Sequence, residues 1–331
     1  MPAPASTPCA NGFPEPAPHL SDAARRYFHE AFSRAERDAM RLPPLGDVAA
    51  WSRRNGEELR KREAGNAALR ARYPVDAQPA RLGGIGVTDL RPRRGAMAGK
   101  VLLYTHGGGF VGGASHDALD STLPLCHETG LRIVSIDYTL APAADHAAIG
   151  HQVLAVLAAL YAQGLSPADV GMYGDSAGAT IAASAMLRAR DRGLPLPAGL
   201  VLWSPWADLG CSGDAYRTLV DAEPFYATDF LERVARCYAG TSALWDPLVS
   251  VLNADYTAGY PPTLIQCGTR ELLLSDAVRL HRRMRDAGVE AELDLYDGLW
   301  HVFQFKPIDT PEAALARART GHFLRRRLGL S

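Results

Sequence analysis

Asp169-Val170-Gly171-Met172-Tyr173-Gly174-Asp175-Ser176-Ala177-Gly178 runs from a short apolar stretch through a small-residue corner into an alanine-rich segment ending near Arg190. Residues 170–173 read as a buried strand and 177–191 as a helix, so Ser176 falls on the turn between them. Glycines two residues to either side suit a sharp corner, because a Cβ there would collide with the neighbouring chain. A G-x-S-x-G corner of this kind holds a serine hydroxyl on a strained backbone, in front of a helix N-terminus with its free N–H groups.

Working outward, short apolar runs alternate with helical patterns. Strands are expected at 82–90, 101–105, 132–137, 200–204, 263–268 and 290–296, and helices at 117–129, 148–163, 274–287 and 311–328. This alternation predicts an α/β class with a mainly parallel central sheet flanked by helices. Two regions break the rhythm. Residues 20–73 are charged and helical in pattern, with breaks at Pro43-Pro44 and near Gly65, and are read as helices lying across something else. Between Trp206 and Tyr260 helical patches occur without a strand, as expected of an insertion over the carboxyl edge of the sheet, where open α/β sheets bind ligands. The expected organisation is a disordered N-terminus over 1–19, an N-terminal helical cap over 20–75, and a catalytic domain over 76–331 with a cap insertion at about 206–255.

Two further stretches complete a nucleophile. His106-Gly107-Gly108-Gly109-Phe110 follows the strand at 101–105, and its glycines let backbone N–H groups turn toward an oxyanion. With Ala177, the residue after the serine, the N–H groups of Gly108 and Gly109 form the expected oxyanion hole. A base and an orienting acid are expected later in the chain. Of ten histidines, His301 in Gly298-Leu299-Trp300-His301-Val302-Phe303 sits in the loop between the last strand and the last helix. The acid is read as Glu271, in the first turn after the strand at 263–268, with Asp276 as its rival inside the next helix and Asp297 as a turn residue. Asp175 is read as structural.

Composition excludes several classes. With 331 residues, 47% hydrophobic and 21% charged, and a formal net charge of −1, the chain can bury a full core and has no global attraction for nucleic acid. Five scattered cysteines form no metal-ligand spacing, which points to reduced thiols and a cytoplasmic setting. Residues 1–18 lack a basic segment followed by an apolar one, and the run 153–162 is too short to span a bilayer, so no stable membrane insertion is expected. No metal and no organic cofactor is needed. A homodimer through an edge strand or the last helix is compatible with the sequence.

The blocks His106-Gly107-Gly108-Gly109-Phe110, Gly174-Asp175-Ser176-Ala177-Gly178, Ser204-Pro205-Trp206-Ala207-Asp208 and Tyr260-Pro261-Pro262-Thr263-Leu264-Ile265 resemble the hormone-sensitive-lipase-like branch of the α/β-hydrolase esterases, over about residue 81 to the C-terminus. The resemblance implies an α/β-hydrolase fold with a helical cap and a triad acid at Glu271, thirty residues before His301. One corner departs from the family. Where relatives carry an Arg, a Glu and an Asp, this chain has Thr139, Ala143 and His151. Losing the set together strands no buried charge, so the corner is read as repacked with the triad intact. The expected activity is hydrolysis of small-to-medium acyl esters through Ser176, His301 and Glu271. Phe110, Trp206, Phe225, Tyr226, Trp300 and Phe303 are the candidate pocket residues, an aromatic mix that favours an apolar acyl group. A specialised acyl hydrolase, lactonase or acyltransferase would use the same residues. A non-catalytic receptor of this fold would be expected to lack a triad member.

Overall fold

The computed structural model describes residues 9–257 and 259–330. Eight strands form one sheet: β1 (Val75–Leu82), β2 (Ile85–Pro92), β3 (Val101–Thr105), β4 (Arg132–Ile136), β5 (Val170–Asp175), β6 (Gly199–Trp203), β7 (Thr263–Gly268) and β8 (Ala291–Tyr296). Their order across the sheet is β1-β2-β4-β3-β5-β6-β7-β8. β1 and β2 pair antiparallel, as do β2 and β4, and every pairing from β4 to β8 is parallel.

The central strands are buried on both faces, so they read as continuous apolar runs. Alternate side chains nevertheless enter different cores. Val101 and Leu103 of β3 join one cluster, with Met172, Leu202 and Ile265, while Leu102 and Tyr104 join the other, with Tyr173, Val201 and Trp203. The first core is covered by α5 (His146–Ala162), α6 (Ala177–Asp191) and α9 (Leu274–Asp286), the second by α4 (Leu119–Thr129) and α10 (Pro311–Arg327).

The remaining helices lie in the two stretches where the sequence rhythm fails. α1 (Asp22–Ala31), α2 (Arg34–Ala39) and α3 (Val48–Arg72) precede the sheet, and α7 (Ala215–Thr218) and α8 (Thr228–Ala239) lie between β6 and β7. α1, α2 and α3 start at Ser21, Ser33 and Asp47, whose side chains each accept a hydrogen bond from a first-turn N–H. Among the described residues, no helix is long and apolar enough to cross a membrane.

Three expectations are corrected. The single strand expected at 82–90 is the hairpin β1–β2, because Gly83 and Gly84 both take positive φ and form a two-residue turn. α3 runs through Gly65 without a break. A mid-helix glycine costs roughly 1 kcal/mol, and docking onto the loop after β3 offsets it. Asn55 exchanges two hydrogen bonds with the backbone of Gly113, Arg62 pairs with Asp117 at 2.9 Å, and Asn66 donates to the same carboxylate at 2.6 Å. Finally, of the N-terminus expected to be disordered, residues 1–8 lie outside the described residues, but 9–19 are packed. Phe13 is fully buried, and the Arg270 guanidinium bonds the carbonyls of Pro14 and Glu15.

The departing corner is held by one amide–hydroxyl pair and one imidazole–guanidinium contact. Thr139 and Gln152 exchange two hydrogen bonds, at 2.8 and 2.9 Å, and His151 meets Arg192 at 2.6 Å.

Candidate active site

The carboxyl ends of β3, β5 and β7, with the loop after β8, converge on one point. β5 ends at Asp175 and α6 begins at Ala177, so Ser176 alone makes the corner, with φ 54° and ψ −126°. That strained conformation persists because the surroundings fix it. The Ser176 N–H donates to the Trp203 carbonyl of β6 at 2.8 Å. A Cβ on Gly178 would lie 2.1 Å from the Thr105 carbonyl, and one on Gly174 would lie 2.5 Å from the Gly178 carbonyl. Both positions therefore exclude any side chain, as the corner demands.

His301 lies in the loop after β8, and its Nε2 is 2.9 Å from the Ser176 Oγ. Its Nδ1 is 2.7 Å from Glu271 Oε2. A carboxylate only accepts, so Nδ1 carries the proton and Nε2 is left to accept from the serine hydroxyl. His301 and Glu271 are fully buried, and Ser176 is 5% exposed. The second carboxylate oxygen of Glu271 is also occupied. It accepts from the Gly268 N–H at 2.7 Å, the Ser204 Oγ at 2.9 Å and the Cys267 thiol at 3.0 Å. Ser204 accepts in turn from the Val302 N–H at 3.1 Å, tying the loop of Glu271 to the loop of His301. Every oxygen of this buried carboxylate is thus aimed by a donor, which fixes the imidazole orientation.

Asp276, the rival acid, is elsewhere. Its Oδ2 accepts from the Asp208 N–H at 2.7 Å and the Tyr216 hydroxyl at 3.0 Å, and burial pushes its carboxyl well above the usual range. Asp297 is exposed and bonds Thr269 at 2.9 Å. Asp175 is also raised by burial. It accepts from the Tyr104 hydroxyl and, at 2.9 Å, from the Gly107 N–H, so it clamps the glycine loop beside the serine. Gly108 takes φ 116°, and a Cβ there would lie 2.2 Å from the Gly112 carbonyl. The loop is closed by the Gly112 N–H donating to the Gly108 carbonyl at 3.0 Å.

A cavity of about 310 Å³ opens onto Ser176 and His301. Gly107 and Gly108 line it, whereas Gly109 and Ala177 adjoin the loop and the serine without being part of its wall. Of the aromatic candidates, Phe225 and Tyr226 line the cavity and stand edge-on to the His301 ring at 5.8 and 5.2 Å. The other four are corrected. Phe110 stacks on Tyr238 at 3.8 Å and packs beside Trp206, because its backbone (φ 66°) turns it into the core under α8. Trp300 and Phe303 join Phe13, Phe28 and Phe32, where they anchor α1 to the loop of His301. Phe230 and Phe305 line the cavity instead.

Glu223 and Lys306 belong to no motif of the sequence, and Ser204 enters it only as the first residue of the Ser204–Asp208 block. The Glu223 carboxylate bridges two segments, accepting from the Phe225 N–H at 2.7 Å and the Leu272 N–H at 3.0 Å. It joins the loop holding the cavity aromatics to the loop holding Glu271. Burial raises it to about 7, opposed by the nearby His301 and the Phe225 N–H. The folded chain therefore keeps a proton there that the unfolded chain releases near 4.5. The contribution of this group to stability falls as pH rises from about 4.5 to about 7 and is level above. Relative to Glu223→Gln, the wild type should lose unfolding free energy across that window, read from denaturant midpoints. A difference that does not change with pH would contradict this assignment.

Outside the cavity, Cys9, Glu15 and His29 bring potential ligand atoms together in the packed N-terminal segment. They are remote in role from the serine, and no step at the cavity uses them.

Comparison with known proteins agrees with this architecture. Residues 102–305 match the family model described as the alpha/beta hydrolase fold. The chain is 34% identical over 284 residues to an acetyl-hydrolase of Streptomyces hygroscopicus, covering 84% of this chain and 93% of that protein. Among solved structures, it is similar to esterase E25, with a TM-score of 0.86 at 27% identity, over 94% of this chain and 96% of that one. It is also similar to a hormone-sensitive lipase from a metagenome library, with a TM-score of 0.81 at 30% identity, over 93% and 99% of the two chains.

Proposed function

The chain belongs to the α/β-hydrolase fold family, as a carboxylesterase-type hydrolase related to the bacterial hormone-sensitive-lipase esterases, and from that premise we propose that it cleaves small-to-medium acyl esters through a Ser176–His301–Glu271 triad. The observation that carries this reading is the continuous chain of hydrogen bonds from Ser176 Oγ through the His301 ring to Glu271, at 2.9 and 2.7 Å.

His301 Nε2 takes the proton as Ser176 Oγ bonds to the ester carbonyl carbon. In this reading the charge that develops on the carbonyl oxygen is met by the backbone N–H groups of Gly108, Gly109 and Ala177. Glu271 stabilises the imidazolium without itself being protonated. The proton then passes from Nε2 to the leaving alkoxide as the C–O bond breaks, which leaves an acyl-serine. Water, deprotonated by the same nitrogen, adds to the acyl carbon; the C–Oγ bond then breaks, Oγ takes back the proton from Nε2, and the acid leaves. A single oxyanion donor is worth about 10²–10³ in rate, so the clamp that Asp175 places on the glycine loop matters to the chemistry. A cavity of about 310 Å³ supports a compact acyl group over a long chain.

A series of p-nitrophenyl esters from acetate to laurate tests this reading. The expected result is a maximum of kcat/KM at short or medium chains and a steep fall by laurate. Folded protein that ignores every ester would overturn the esterase reading, and a maximum at laurate would overturn its substrate range.

A further inference from the structure

Two tyrosines line the cavity that holds Ser176. The hydroxyl of Tyr104 is committed, donating to Asp175 and meeting the Ser121 hydroxyl at 2.7 Å. The hydroxyl of Tyr226 has no such anchor. Among the described residues, its hydrogen-bond neighbour is the side chain of Ser176 itself. Desolvation in the cavity raises the phenol, so it keeps its proton, and remains a donor, across the neutral range.

Packing holds the ring that carries this hydroxyl. Tyr226 stacks on Phe230 at 5.1 Å with 14° between the planes, and stands edge-on to the His301 ring at 5.2 Å and 70°. Its neighbour Phe225 is fixed through its backbone by Glu223, and the Phe225 ring packs on Phe32 at 4.9 Å and lies 5.7 Å from the Lys306 ammonium. The phenol is thus aimed before a substrate arrives.

The Ser176 hydroxyl spends its proton on His301 Nε2, so in the free protein the phenol is left to direct its own proton at Oγ. Once Oγ has bonded to the ester carbon, the phenol needs a different acceptor. The tetrahedral carbon offers two oxygens. The oxyanion turns to the glycine loop, whereas the alcohol oxygen must face His301 Nε2 to receive its proton. The Tyr226 ring stands against His301, on the alcohol side.

We infer that Tyr226 is a further catalytic residue of this hydrolase, its hydroxyl donating a hydrogen bond to the alcohol oxygen of the ester as that oxygen departs. The inference rests on the esterase reading above and adds a donor for the leaving group. As the C–O bond breaks, its electron pair goes to the alcohol oxygen and the proton on Nε2 follows. The phenol keeps its own proton and stabilises the negative charge that grows on that oxygen. Its effect increases with the basicity of the departing alcohol, so it matters for alkyl esters and little for activated aryl ones.

The test compares wild type with Tyr226→Phe on butyrate esters of p-nitrophenol, phenol, trifluoroethanol and ethanol, in order of increasing basicity of the alcohol. The variant removes the hydroxyl and keeps the stack on Phe230, and a melting curve checks that it is folded. The quantity read is kcat/KM, which reports formation of the acyl-serine. Tyr226→Phe should lose about 10–100-fold on ethyl butyrate and less than about threefold on p-nitrophenyl butyrate, with the other two esters between. A plot of log kcat/KM against the basicity of the alcohol should therefore be steeper for the variant. A wall residue without a role in the chemistry would shift all four esters alike. Equal losses on every ester, or no loss on ethyl butyrate, would overturn this inference while the esterase reading stands. Absence of turnover on all four esters by folded wild type would overturn both.

Discussion

Ser176→Ala is expected to lower kcat for p-nitrophenyl butyrate by about 10⁵–10⁶-fold, since loss of a serine nucleophile removes the covalent route and leaves only the oxyanion donors and binding. The size follows from the geometry. Ser176 Oγ is 2.9 Å from His301 Nε2, and the helix N-terminus and glycine loop lie beside that one position. Serine and alanine both carry a Cβ, so the strain at φ 54° stays in the variant and little change in stability is expected. Ser176→Gly relieves that strain and should be equally inactive. Circular dichroism and thermal melting separate the two effects. Activity within tenfold of wild type in either folded variant would remove Ser176 from the reaction.

Glu271→Gln is expected to cost about 10³–10⁴-fold in kcat. The amide is nearly isosteric, but it turns one oxygen into a donor. Facing His301 Nδ1, that donor would favour the tautomer with the proton on Nε2, which is unable to accept from Ser176. Facing the other way, it would meet the Gly268 N–H and the Ser204 hydroxyl, both of which donate to Oε1 in the wild type. Asp276→Asn provides the contrast. Asp276 sits in a separate buried network with Asp208 and Tyr216, so its amide should change the melting temperature more than kcat. If Asp276→Asn lost the thousandfold while Glu271→Gln did not, the assignment of the acid would be reversed.

The features legible in the sequence were those set by short-range sterics and by period. Gly174 and Gly178 announced the corner because no other residue fits beside the Thr105 and Gly178 carbonyls. The parallel strands were legible as unbroken apolar runs because both of their faces are covered. The hairpin was missed because residues 82–90 are apolar at both ends, which hides the two-glycine turn near their start. α3 was read as broken near Gly65 because the contacts that hold it, Asn55 to Gly113 and Arg62 to Asp117, span 58 and 55 residues of chain and leave no local trace.

The site divides in the same way. Ser176, His301 and Glu271 each follow a strand end, and the fold brings the three side chains within hydrogen-bond distance of one another. Residue type did not reveal which aromatics face the cavity. Phe110 follows three glycines and Trp300 adjoins the base, yet both point into packing with elements far away in the chain. Glu223 and Lys306 lie in loops without regular pattern, and their roles depend on which backbone N–H groups and rings the fold brings beside them.

The most direct test of the central claim is covalent labelling of the wild type with diethyl p-nitrophenyl phosphate, followed by peptide mapping. The account predicts one equivalent of p-nitrophenol released, with a single diethylphosphoryl group on Ser176 and matching loss of esterase activity. An unlabelled Ser176 in inactivated protein, or a label on another residue that tracks the loss of activity, would contradict it.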